Sequence, residues 1–183
     1  PYPFEKLAHV QSSTRFGGME NSSAIFYDEG ALASGRNIEA TVSHEIAHQW
    51  FGDSVTPADW AHLWLSEGFA TYFGLVYFEY ANGPDVFRER MEATAERYLT
   101  SADTLSPVVN TTATNLFDLL NRNSYQKGGW VLHMLRGVVG DDAFFAGIQE
   151  YYRRYRNSVA DSRDFQRVME SSTGMELDWF FEQ

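Results

Sequence analysis

The sequence predicts an α+β fold that is mainly helical, with a small sheet confined to its N-terminal end. Three observations predict it. Helical apolar spacing runs from Asn37 nearly to the end of the chain, strand-like segments occur only within the first thirty-five residues, and no linker or repeat divides the 183 residues into separate units. A chain of this length with 44% hydrophobic and 16% aromatic residues is large enough for one buried core.

In order along the chain, Lys6 to Val10 and Ser23 to Tyr27 read as short strands, separated by Gly17-Gly18 and closed by Gly30 and Gly35. Six helical stretches follow: Ile38 to Phe51, Trp60 to Tyr80, Asp85 to Leu99, Asn115 to Val139, Asp142 to Arg156, and Ser162 to Ser172. Each is punctuated by a residue that cannot continue a helix, among them Gly52 and Pro57, the Asn82-Gly83-Pro84 turn, Pro107, Gly140 and Gly174. The aromatic stretches Tyr72 to Tyr80 and Phe144 to Tyr155 read as core or interdomain faces. The chain opens at Pro1 without an initiator Met and stops after the apolar Trp179-Phe180-Phe181, which predicts an excised piece of a longer protein.

A formal net charge of −11 leaves no basic face for phosphates, so nucleic acid is excluded as a partner and anionic membranes are disfavoured. No apolar run is long enough to span a bilayer, and the chain reads as soluble. The absence of cysteine excludes disulfides and thiolate metal sites, and is compatible with cytoplasmic and exported proteins alike. Any metal must therefore sit on His, Asp or Glu.

Such a site is visible in the first long helix as His44-Glu45-Ile46-Ala47-His48. Residues four apart lie on one helix face with about 6 Å of axial rise between them, so both imidazoles can share one ion. Glu45 falls on the adjacent flank, where a carboxylate reaches a water without being a ligand. A chance occurrence in a chain this long is roughly a one-in-a-hundred event. Catalytic zinc takes three protein ligands and keeps one position open, which requires a third His, Asp or Glu on another element. Glu67, eighteen residues beyond His48 and flanked by Leu65, Phe69 and tryptophans, meets that requirement. One Zn²⁺ on His44, His48 and Glu67 is the expectation. His9, His62 and His133 lack ligand spacing and read as ordinary surface or core residues.

With these residues identified, the chain resembles the aminopeptidase N family of gluzincin zinc metallopeptidases, which includes the leukotriene hydrolases. The marks are Gly17-Gly18-Met19-Glu20-Asn21, the stretch from His44 to Asp53, the Glu67 segment, and Tyr125-Gln126-Lys127-Gly128, all in the family's order. The resemblance implies a thermolysin-like catalytic domain made of residues 1–183, with 1–35 as a strand and turn segment and 36–183 as the helical zinc-binding body. It implies a hydrolase of peptides with a free N-terminus, and parent-chain domains on both sides. It makes Glu45 the general base, Tyr125 the donor to the oxyanion, and Glu20, with Gly17, Gly18, Met19 and Asn21, the anchor for the substrate's α-amino group. Ser22-Ser23 stand where the family usually has Trp-Gly, Ser66 where it has Asn, and Asp53 where it has Asn. Thr71, one turn beyond Glu67, is expected to orient a metal-bound imidazole. A thermolysin-type endopeptidase, a non-catalytic scaffold relative and an epoxide hydrolase share parts of this pattern. The endopeptidase lacks an amine anchor, scaffold relatives typically lose ligands or the base, and the hydrolase needs pocket features that the sequence does not display.

Overall fold

The computed structural model describes residues 1–14 and 16–182. Near the N-terminus, β1 (Ala8–Ser12), β2 (Gly18–Met19) and β3 (Ala24–Asp28) make a sheet in the order β1-β3-β2. β3 is central, parallel to β1 with Ala8 opposite Ala24, and antiparallel to β2 with Gly18 opposite Tyr27. Its alternation buries Ile25 and Tyr27, as period two requires of a strand lying on a core. Asp28 then caps the short α1 (Glu29–Ala33) by accepting from the Ala31 amide at 2.8 Å.

The helical body consists of α2 (Glu39–His48), α3 (Trp64–Asn82), α4 (Pro84–Leu99), α5 (Gly128–Val139), α6 (Asp141–Tyr155), α7 (Ser162–Thr173) and α8 (Asp178–Phe181). α3 is the central helix and buries residues on every side of its first half, from Trp64 to Ala70. Phe69, Tyr72, Phe144, Tyr151 and Phe165 pack around it as the aromatic core, whereas Tyr77 and Tyr80 are exposed. At the C-terminal end Phe181 meets Phe165 edge to face at 6.0 Å, so part of that apolar end packs within the chain. No helix among the described residues is long and apolar enough to cross a membrane.

Three expectations are corrected. β structure is not confined to the first thirty-five residues, because β4 (Val55–Pro57) and β5 (Ser158–Ala160) form a second, parallel two-stranded sheet. The expected helix from Asn115 to Val139 is broken into a 3₁₀ turn at Leu116–Leu119, a π-helical turn at Asn123–Lys127, and α5. Side chains compete with the helix there: Asn115 accepts from the Phe117 amide at 3.2 Å, and Asn121 from the Asn123 amide at 2.8 Å. In the same way the stretch from Trp60 begins as a 3₁₀ turn capped by Asp59 before α3 starts at Trp64.

Glycines let α3 approach both neighbours closely. A Cβ on Gly74 would lie 3.2 Å from the His44 backbone of α2, and one on Gly68 would lie 2.8 Å from the Gly128 backbone at the start of α5. These contacts bring the face carrying Glu67 towards the histidines and towards the turn carrying Tyr125. Gly68→Ala is therefore expected to destabilise the protein by about 2 kcal/mol, because overpacking against backbone outweighs Ala's better helix propensity. Thermal unfolding checks this, and an unchanged or raised midpoint contradicts it.

Candidate metal centre and active site

α2 presents His44 and His48 on one face, with their Nε2 atoms 3.0 Å apart. Glu67, on the first turn of α3, brings Oε2 to 3.3 Å from His44 Nε2 and 3.2 Å from His48 Nε2. An ion bonded to nitrogen and oxygen at about 2.0–2.1 Å in a tetrahedron needs ligand atoms about 3.3 Å apart. The observed triangle has nearly these edges. Glu67 Oε2 is buried and lies at ion-pair distance from both rings without a directed hydrogen bond to either, which is the condition a cation between the three atoms would relieve. The residues present fit a zinc ion.

Burial would push the Glu67 carboxyl up, but the two facing imidazoles hold it below the ordinary carboxylate range. Burial lowers His44, whereas for His48 the carboxylates of Glu67, Glu20 and Glu45 outweigh burial and raise the ring to about 9. The His48 Nδ1 faces the Phe51 carbonyl at 3.1 Å and the Ser66 hydroxyl at 3.1 Å. With Nδ1–H donated to that carbonyl, Nε2 points at the triangle, and a cation placed there would displace its proton and take the lone pair. Ser66, not Thr71, is thus the side chain of α3 that orients an imidazole; Thr71 lines the cavity and touches the space beside Gly129. Gly52 permits this approach, since a Cβ there would reach the Ser66 hydroxyl and its φ of 129° excludes most side chains.

Glu45 is buried beside the backbone of Gly18. Burial pushes its carboxyl up to about 8, opposed by His48 and reinforced by Glu20 and Glu67. Positive charge brought into the cavity, as an ion or an ammonium group, lowers it again. Glu20, Glu45 and His48 offer ligand atoms within 4.8 Å of one another, so two carboxylates converge beside an imidazole. The Tyr125 ring stacks on His44 with centroids 6.0 Å apart, and burial with the nearby Glu67 charge pushes its phenol up, keeping the hydroxyl protonated.

These groups line a cavity of about 740 Å³, walled by Phe16 to Glu20, α2, α3, the end of α4, and the segment carrying Leu116, Phe117 and Tyr125. Gly17, Gly18, Met19 and Glu20 lie on it, whereas Asn21 closes a turn by accepting from the Ala24 amide at 2.9 Å. His9 bonds Tyr27, His62 bonds Ser162, and His133 packs among Tyr72, Phe87 and Trp130, so none of the three joins the cluster. A separate groove of about 460 Å³ lies on the far face of α2, lined mostly by apolar groups such as Val42, Ile46 and Phe73.

Sequence reasoning missed Gln49. Fully buried next to His48, its amide donates to the Glu20 carbonyl at 2.7 Å and Asp53 at 2.8 Å, and accepts from the Ser23 amide at 2.8 Å and the Tyr2 hydroxyl at 2.9 Å. All four positions of the amide are used, which ties the Glu20 segment to the histidine helix. The available signal was a polar residue inside an otherwise apolar helical end. Burial and the nearby Glu20 push Asp53 up to about 7, where its carboxyl becomes partly protonated in the place the family usually fills with an amide. Gln49→Leu is expected to cost about 3 kcal/mol by leaving buried partners unpaired, and to speed hydrogen exchange of the Ser23 amide. Protection of that amide at the wild-type level would contradict its role.

Among proteins of known family, the model for the peptidase family M1 domain matches residues 1–183. Aminopeptidase M1-B of Oryza sativa subsp. japonica is 32% identical over 95% of this chain and 22% of its own length. The solved M1 zinc metallopeptidase from Deinococcus radiodurans superposes with a TM-score of 0.81 at 29% identity, over 100% of this chain and 39% of that one. The native yeast LTA4 hydrolase gives a TM-score of 0.85 at 22% identity over 98% of this chain and 32% of that one, a likeness of fold. The chain spans about a fifth of the length of the curated relatives it matches.

Proposed function

The chain belongs to peptidase family M1, and on that premise we propose that it is the catalytic-domain portion of a longer zinc-dependent aminopeptidase. The reading has the chain removing single residues from the free amino end of peptides. The observation that carries it is the triangle of His44, His48 and Glu67 ligand atoms, 3.0 to 3.3 Å on its edges, with Glu45 and Tyr125 on the same cavity.

Bound by those three side chains, a zinc ion supplies Lewis acidity, acidifying a water molecule and polarising a carbonyl. Glu45 takes the proton from the attacking water and returns it to the leaving amine. Tyr125 donates a hydrogen bond to the substrate oxygen as it becomes negative. Glu20 accepts the substrate's ammonium group, and the convergence of two carboxylates at Glu20 and Glu45 favours such a cation. This favours an aminopeptidase over an endopeptidase, which has no use for that charge.

The test compares free with N-acetylated peptides. The protein is expected to hydrolyse only the free peptides, and Glu20→Ala to lower kcat/KM on them by about 10- to 100-fold, the loss of a charged hydrogen bond. Equal hydrolysis of acetylated peptides, or cleavage at internal bonds, would overturn the reading.

A further inference from the structure

The cavity is unevenly charged. Glu20, Glu45 and Glu67 all line it, and apart from the two imidazoles the one basic side chain on its wall, among the described residues, is Arg97 in the last turn of α4. That turn is held in place. The Arg97 carbonyl accepts from Arg122 Nη1 at 2.9 Å, and one turn earlier Thr94, on the same wall, is bonded to Trp130 Nε1 at 3.0 Å.

Arg97 is exposed and no described carboxylate lies within ion-pair distance of it; Arg36, Arg90, Arg122, Arg156 and Arg163 also have no described carboxylate at that distance, but none of those five lines the cavity. A helix C-terminus favours a cation, which accounts for an arginine at this end of α4. It does not account for an unpaired one on the wall of a cavity that otherwise carries carboxylates.

We propose that Arg97 is a specificity-determining residue that binds a substrate carboxylate, and that the preferred substrates are short peptides carrying one near the cleaved end. This rests on the aminopeptidase reading above, in which Glu20 holds the amine. A peptide then meets a carboxylate at its ammonium end and a guanidinium on another wall, matching the sign of charge at each. The carboxylate comes from the C-terminus of a di- or tripeptide, or from an Asp or Glu side chain close to the N-terminus.

The experiment uses the full-length, zinc-loaded protein and its Arg97→Met and Arg97→Glu variants. Substrates are trialanine as free acid and as amide, and blocked-C-terminus peptides with Asp or Asn in second position. Wild type is expected to favour a carboxylate-bearing member by about five- to tenfold in kcat/KM, mostly through KM, with the preference shrinking at high salt. Arg97→Met should remove the preference without slowing the amide, and Arg97→Glu should invert it, with unchanged unfolding midpoints. Preference in the trialanine pair assigns the C-terminal carboxylate, and preference in the Asp/Asn pair assigns the side chain. If wild type turns over these peptides with no preference, or the variants keep it, the role of Arg97 is overturned while the aminopeptidase reading stands. If wild type hydrolyses none of them, both fall.

Discussion

Glu45→Gln is expected to keep its zinc and to lose about 10²- to 10⁴-fold in kcat. The substitution preserves shape and hydrogen-bonding capacity but removes the group that accepts the water's proton. Glu45 is buried against Gly18, and the other carboxylates near it are assigned to other work. KM should change little, because the lost interaction belongs to the transition state. Metal analysis of the variant separates this from loss of the ion. Near-normal turnover with zinc present would show that another group is the base.

Tyr125→Phe is expected to lower kcat by about 10²- to 10³-fold, the usual cost of deleting one donor to a developing oxyanion. Stacking on His44 is retained by phenylalanine, so zinc content and stability should hold. Because burial and Glu67 keep the phenol protonated, it remains a donor across the working pH range, and its loss should not shift the acidic limb of the pH–rate profile. A fall in zinc content, in place of a fall in kcat, would recast Tyr125 as a structural neighbour of His44.

Much of this site is local and was therefore legible in the sequence. His44 and His48 share a face because the helix repeats every 3.6 residues, which spacing alone dictates. Glu67 required one further step, a second helix packed on the first, and Gly74 against the His44 backbone is the contact that realises it. Gln49 and Ser66 act mainly through tertiary neighbours: apart from Asp53, Gln49 joins residues as distant as Tyr2, and Ser66 reaches His48 across two helices. Nothing in their local spacing announces that.

The second sheet escaped for a related reason. Val55–Pro57 and Ser158–Ala160 are three residues each, too short for alternation to register, and pair across about a hundred positions. In the stretch from Asn115 to Val139 apolar spacing predicts one helix, but Asn115, Asn121 and Asn123 spend their side chains on the backbone and on Tyr98 and Asp103, and the chain passes through a 3₁₀ turn and a π-helical turn before α5 begins. That irregularity is where Tyr125 sits, in keeping with π-helical turns marking functional positions.

X-ray absorption at the zinc edge, on full-length protein loaded with one equivalent of metal, tests the account most directly. The expected result is one tightly held ion in a four-coordinate shell at about 2.0–2.1 Å, with two imidazoles that drop to one in His48→Ala and a carboxylate oxygen that is lost in Glu67→Ala. A protein that binds no stoichiometric zinc, or binds it in a shell unchanged by those two substitutions, would contradict it.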